Sequence, residues 1–196
     1  MKFSKEDAIS YVAVLVIVVS LASIGIQFTG YATTDDSATV NVTITTSAAI
    51  NFTVDLVDFG TGSVNNGSAG ATLATGANLS EADGTWTGTK SALTLENIGN
   101  VNVTLNLSAN AAAQAYLGGT DPLFQYKVTD NETDACGGVA GTYANFTTGD
   151  GVLVCSPLDF DNDRDKINID IKLYIPSDSN VGTQTATITA TGTYDA

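Results

Sequence analysis

Ile167, Ile169, Ile171, Leu173 and Ile175 recur at a strict spacing of two, separated by Asn168, Asp170, Lys172 and Tyr174. Only an extended strand puts all five apolar side chains on one face; a helix would scatter them around its axis. The same period returns upstream. Val40, Val42 and Ile44 alternate with Asn41 and Thr43, and Ile50, Phe52, Val54 and Leu56 alternate with Asn51, Thr53 and Asp55. Leu93 and Leu95, then Val101, Val103, Leu105 and Leu107, flank Asn97-Ile98-Gly99-Asn100, which reads as the turn of a hairpin. Phe124, Tyr126 and Val128 mark another strand, Val152 and Val154 a short one, and Ala186, Ile188 and Ala190 a last one rich in Thr. Only Ala109–Leu117 has a helix-forming composition. Gly60–Gly70 reads as a mobile loop.

Eight to ten short strands, with Gly and Asn turns and no helical stretch between them, imply an all-β fold: a single antiparallel β-sandwich, jelly-roll or immunoglobulin-like. No fixed-period repeat breaks the run, so residues 33–196 are expected to form one domain.

Composition removes several functions. The 196 residues include no His, which excludes Ser-His-Asp and Cys-His nucleophiles and His-ligated zinc or haem. The two Cys cannot build a Cys₄ metal site. A net charge of −14 repels phosphate backbones, so nucleic acid is not an expected partner. Carboxylate-only catalysis is chemically open to 17 Asp and 4 Glu, but no pair is singled out, and no enzymatic activity is expected.

The N-terminus carries an address. Ala8–Thr34 is free of charge, and Tyr11–Ile26 is almost continuously apolar, which predicts one N-terminal hydrophobic helix acting as an export signal or membrane anchor. Lys2 and Lys5 precede it and Asp35 and Asp36 follow it, so the remainder is expected outside the cell. Three fates are open. Gly30-Tyr31-Ala32 offers small residues for signal cleavage between Ala32 and Thr33; Ala8–Phe28 is long enough to remain in the bilayer; and a charged leader before the apolar run has the position of a type IV pilin cleavage site, although the expected Gly or Ala before the cut is missing. In the first two, residues 1–32 are a signal peptide or anchor. Residues 1–32 hold two basic and two acidic side chains, so the whole −14 belongs to the exported part.

Export gives meaning to the cysteines and the asparagines. Cys136 and Cys155 enclose 18 residues, and in an oxidising compartment two lone cysteines are expected to pair. The sequon N-x-[ST] occurs at Asn41, Asn51, Asn66, Asn78, Asn102, Asn106, Asn131 and Asn145. With 15 Asn and 42 Ser plus Thr in 196 residues, chance supplies about three. Eight predict an N-glycosylated surface protein; the competing account is that Asn and Thr alternate along polar strand faces and inflate the count.

Asp159, Asp161, Asp163 and Asp165 alternate immediately before Ile167 and share its parity. As part of that strand they would point into the core, where unpaired charge is prohibitive, so they must lie in a loop or converge on a cation. Two readings stand: a Ca²⁺ loop, since a hard cation needs six to eight oxygens, and a solvated acidic turn balanced by Arg164 and Lys166. An EF-hand is excluded, because Arg164 stands where the loop needs Gly and no helices flank it. Gly84–Ser91 is not a phosphate loop: three residues separate its glycines, and Thr89 intervenes before Lys90. Trp86 reads as a core residue, with a sugar-stacking platform as the rarer use.

Ala92–Leu107 (ALTLENIGNVNVTLNL) resembles the strand, N-x-G-N, strand signature of archaeal and bacterial surface β-sandwich proteins of the camelysin/TasA-type fibre and archaeal bundling-pilus kinds. Val57-Asp58-Phe59-Gly60 and Ile175–Tyr194 are similar to segments of the same proteins, so that the likeness covers about 40 residues. The resemblance implies a jelly-roll subunit that receives the N-terminal strand of its neighbour, with Thr33–Thr46 as donor. The expected function is therefore a non-catalytic cell-surface structural protein that associates with itself or with other surface proteins. The alternative is a binding module, tethered in the membrane through residues 8–28, that uses Ca²⁺ at Asp159–Asp165 to hold carbohydrate or a protein.

Overall fold

The computed structural model describes residues 39–76, 81–88, 91–139 and 141–194. The chain divides into Met1–Thr43 and Ile44–Ala196. The expected N-terminal helix and the Ala32–Thr33 cleavage site lie outside the described residues. No helix among the described residues is long and apolar enough to cross a membrane.

The described fold is all-β with antiparallel sheets. Its strands are β1 (Ile50–Val54), β2 (Gly70–Ala74), β3 (Glu81–Ala82), β4 (Leu93–Asn97), β5 (Val103–Ala109), β6 (Leu123–Asp130), β7 (Ala144–Asn145), β8 (Val152–Leu158), β9 (Lys166–Pro176) and β10 (Ile188–Tyr194). One short helix, α1 (Ala113–Leu117), precedes β6.

The Ile167–Ile175 alternation forms β9, the centre of the larger sheet. One edge of β9 pairs along its length with β6, from Leu123↔Tyr174 to Asp130↔Ile167. The other edge is shared end to end: β4 takes Lys166–Ile169 and β2 takes Lys172–Pro176. At the junction Thr75 substitutes for a strand partner. Its N–H donates to the Ile171 carbonyl at 2.9 Å, and its hydroxyl oxygen accepts the Ile171 N–H at 2.8 Å. β1 extends this sheet beyond β4, β3 extends it beyond β2, and β7 adds to β6. The smaller sheet has the order β10-β5-β8.

Alternation translates directly into burial. Ile167, Ile169, Ile171 and Leu173 of β9, Leu93 and Leu95 of β4, Val103, Leu105 and Leu107 of β5, and Phe124, Tyr126 and Val128 of β6 belong to one hydrophobic core fed by both sheets. Phe146 stacks at 4.4 Å from Phe124 and 4.8 Å from Tyr126, while Tyr116 of α1 lies 5.0 Å from Phe124. Burial of apolar area on this scale drives the fold.

Four expectations need correction. Leu93–Leu107 is not a hairpin: β4 and β5 belong to different sheets. Each buries its alternate residues in the common core, and the turn sequence between them does not require the strands it joins to share a sheet. Asn97 turns this corner. It is 1% exposed, its Nδ2 donates to the Val101 and Leu158 carbonyls at 2.9 and 3.3 Å, and its Oδ1 accepts the Gly99 N–H at 3.0 Å. Second, Val40–Ile44 forms no strand; residues 39–49 have no regular structure. A strand needs a partner edge, and none of the described strands pairs with this segment. Third, the helix is confined to Ala113–Leu117, because Ala109 ends β5 and Ala112 is still extended. Fourth, Gly60–Gly70 is tied down by the Val64↔Gly84 bridge and by hydrogen bonds from Asn65 to Asp83 and from Thr85 to Ser63. This loop makes room for Trp86. A Cβ on Gly62 would lie 2.5 Å from Trp86 Cδ2, and one on Gly84 would lie 2.7 Å from the ring, so the indole packs against the core between two bare backbones.

Candidate functional site

Residues 39–44 pair with none of the described strands, and their apolar side chains are exposed: Val40, Val42 and Ile44 by 90%, 81% and 82%. The stretch from there into β1 is held by the corner between β4 and β5. Asn100 Oδ1 accepts the Ser47 N–H at 2.6 Å, Asn100 Nδ2 donates to the Thr45 carbonyl at 2.9 Å, and the Asn100 backbone N–H donates to the Ser47 carbonyl at 3.0 Å. Ile98 N–H adds a bond to the Ala49 carbonyl at 2.9 Å. The two asparagines of the N-x-G-N stretch therefore divide the work: Asn97 satisfies the corner from inside, and Asn100 pins the incoming chain from outside.

The acidic run is the loop between β8 and β9, as its parity required. Its carboxylates do not converge; they are divided between two cations. Arg164 lies 3.3 Å from Asp159 and 3.4 Å from Asp161. Asp159 Oδ1 also accepts the N–H groups of Phe160 and Asp161, at 2.7 and 3.1 Å. Asp163 faces solvent. Asp165 keeps the inward parity of β9 and is 4% exposed, beside Lys166 at 3.1 Å. Lys166 also reaches Glu132 at 3.0 Å and Glu96 at 3.3 Å, so one ammonium serves three carboxylates. No group of three or more His, Cys, Asp or Glu among the described residues is arranged to hold a metal ion.

This cluster shifts its members in opposite directions. Burial pushes the Asp165 carboxyl up, and the Glu132 and Glu96 charges add to that, outweighing the hydrogen bond and charge of Lys166. Glu132 feels burial too, but the Lys166 ammonium and the Asp165 N–H together hold its carboxyl below the usual value. Hydrogen bonds to Glu132 and Asp165 raise the Lys166 ammonium well above the ordinary lysine value against the opposing effect of burial.

A cleft of about 480 Å³ opens on the outer face of the larger sheet, where β4 and β2 meet along β9. Thr94, Lys127, Asn168 and Asp170 line it. Asp170 is 5% exposed although it alternates with the core residues, because Thr75, Gly76 and Lys127 close over it. Lys127 Nζ sits 3.1 Å from Asp170 Oδ2, and both Lys127 and Lys172 hold their ammonium groups 5.2 Å from the centre of the Tyr143 ring. Burial raises the Tyr143 hydroxyl, with Lys127 opposing. The alternation marks Asp170 only as an outward strand residue; its burial depends on Thr75 and Gly76, about a hundred positions upstream.

Cys136 and Cys155 form a disulfide with Cα atoms 5.6 Å apart, tying the loop after β6 to β8. Of the eight sequon asparagines, Asn78 lies outside the described residues. Asn41, Asn51, Asn66, Asn131 and Asn145 are exposed, and Asn102 and Asn106 are half-buried. Asn102 Oδ1 is buried without a hydrogen-bond partner.

The chain matches no protein-family model, and neither curated proteins nor solved structures give a match.

Proposed function

We propose that this chain is an exported, non-catalytic structural subunit of the cell surface, a glycosylated β-sandwich of jelly-roll or immunoglobulin-like topology that assembles into fibres by passing its N-terminal strand to a neighbour. The observation that carries the reading is the state of Val40, Val42 and Ile44: a strand pattern that pairs with none of the described strands, exposed between 81% and 90%. Three apolar side chains held in water on alternate positions are stabilised once they cover a sheet edge. The disulfide and the surface position of most described sequons support an extracellular location.

Negative-stain electron microscopy tests it on the full chain, produced in an export-competent host and recovered from the cell surface. Filaments are expected, and deletion of Thr33–Thr46 is expected to abolish them while leaving the β-rich circular dichroism spectrum in place. Monodisperse particles from both forms overturn the reading.

A second reading, a membrane-tethered binding module, is favoured by the cleft over Asp170, whose hydroxyl, amide and paired-charge lining suits a neutral polyhydroxylated ligand such as a sugar. Sugar binding measured on the same preparation separates the two: a module that holds carbohydrate in this cleft binds the sugar without forming filaments.

A further inference from the structure

A strand added from another molecule must find an edge, and edges differ in how well they are guarded. Natural sheets blunt their edges with very short strands, charges, proline, bulges or covering segments. Among the described residues the two sheets present five outer strands: β1, β3, β7, β8 and β10. β3 and β7 have two residues each, too few to template a neighbour, and the part of β6 beyond β7 carries Lys127 and Asp130. β1 has five residues, its register slips between Phe52 and Val54, and Asp55 and Asp58 follow it. β8 contains Pro157, slips twice against β5, and is covered at its C-terminal half by the Cys136↔Leu158 bridge and the Gly137 N–H bond to the Pro157 carbonyl.

β10 has none of these protections. It pairs with β5 over seven consecutive residues, Ile188↔Ala109 to Tyr194↔Val103, with no slip. From Ser179 to Tyr194 there is no charged residue and no proline. No described strand pairs with the side facing away from β5. The inward residues of β5, the next strand, are completely or almost completely buried, whereas Ile188, Ala190 and Gly192 of β10 are only half-buried. The core is therefore left thinly covered along this edge.

We infer that the free edge of β10 is the docking surface for a second copy of this chain, and that the occupant is the segment 39–46. This deepens the strand-exchange reading and rests on it. Two features of the segment match the edge. It is free of charge, as is the whole stretch from Ser37 to Val54, so it approaches β10 without adding like charge to a chain of net charge −14. Its Val40, Val42 and Ile44 alternate with Asn41, Thr43 and Thr45, just as Ile188, Ala190 and Gly192 alternate with Thr189, Thr191 and Thr193. Paired in even register, the apolar residues of both strands share the face that looks onto the core; the small side chain of Ala190 leaves room beside a branched neighbour, whereas the space over Gly192 is already filled by Ile50 of β1.

Cysteine pairing in the assembled full chain tests the edge directly. Thr43→Cys is combined in turn with Thr189→Cys, Thr191→Cys and Thr193→Cys, and with Leu153→Cys on β8 as the rival edge. Filaments from one β10 combination are expected to give a reductant-sensitive ladder of linked subunits on denaturing gels, with none from the β8 combination. Filaments that link only through β8, or through none of these pairs, overturn the β10 assignment and leave strand exchange standing. Absence of filaments from the unsubstituted chain overturns both. A Thr189→Lys/Thr191→Lys chain, with charges on the outward face of the edge, provides the second measurement: about tenfold fewer filaments at an unchanged circular dichroism spectrum are expected. Undiminished filaments from that chain overturn the assignment.

Discussion

The side chain of Asn100 holds Ser47 as a strand neighbour would: its Oδ1 accepts the Ser47 N–H at 2.6 Å while its Nδ2 reaches past to the Thr45 carbonyl at 2.9 Å. One amide side chain thus satisfies two backbone groups at the point where the unpaired segment joins the larger sheet. Replacing it by alanine removes both bonds at an exposed site, so the expected loss of stability is only about 1 kcal/mol. Hydrogen exchange at the Ser47 amide is expected to quicken several-fold in Asn100→Ala, with the β9 amides unchanged. Equal exchange in both proteins contradicts the clamp.

Lys127 and Asp170 stand directly opposite each other on β6 and β9, and the carboxylate is the more deeply buried partner. Lys127→Met strands that carboxylate with Thr75 as its remaining side-chain partner. A loss of about 3 kcal/mol is expected, at the lower end for a broken buried pair because the lysine keeps some exposure. The double variant Lys127→Met/Asp170→Leu is expected to regain most of it. Urea unfolding of the two variants against the parent measures both effects.

The Lys166 cluster makes stability depend on acid in a calculable direction. Glu132 has a folded pKa below its ordinary value of 4.5, so it contributes stability above about pH 4.5 that is lost as pH falls through its folded pKa. Asp165 has the opposite sign: its raised pKa means that its protonation returns some stability in the same descent. Melting temperatures followed from neutral pH down to about pH 3 should therefore fall less steeply in Glu132→Gln than in the parent, and more steeply in Asp165→Asn. Parallel curves for all three proteins would refute the coupling.

Trp86 is the single tryptophan of the chain, which makes its fluorescence a clean report on the loops around it. Gly62→Ala places a methyl group 2.5 Å from the indole and forces the ring outward. A red-shifted emission and a loss of about 1 to 3 kcal/mol are expected, the usual cost of overpacking. The Cys136→Ser/Cys155→Ser pair should cost about 3 kcal/mol by releasing the enclosed loop, without a change in emission.

Strands whose alternation is written in large aliphatic residues are legible in the amino-acid order alone: β5, β6 and β9 lie where Val103–Leu107, Phe124–Val128 and Ile167–Ile175 put them. β2 is not. Its sequence, GATLA, is small and buried on both faces, so it shows neither alternation nor a long apolar run. Asn97-Ile98-Gly99-Asn100 reads correctly as a turn and wrongly as a hairpin, because a turn sequence does not say whether the strands it joins share a sheet. The acidic loop follows from parity alone, but its division between Arg164 and Lys166 depends on Glu132 and Glu96, which come from other elements. No local pattern marks the cleft, which arises where Thr75 ends one strand beside the start of another.

The shared edge of β9 also dictates an order of events during synthesis. Leu73 pairs with Leu173, Leu95 with Ile167 and Phe124 with Leu173, so β2, β4 and β6 all wait for a strand made after them. Until Pro176 has emerged the larger sheet has no centre, and most of its pairings span long stretches of chain. Such a topology folds slowly and late. For the exported subunit we propose, threaded unfolded through a narrow pore, a sheet that cannot assemble before the thread is nearly through is well suited.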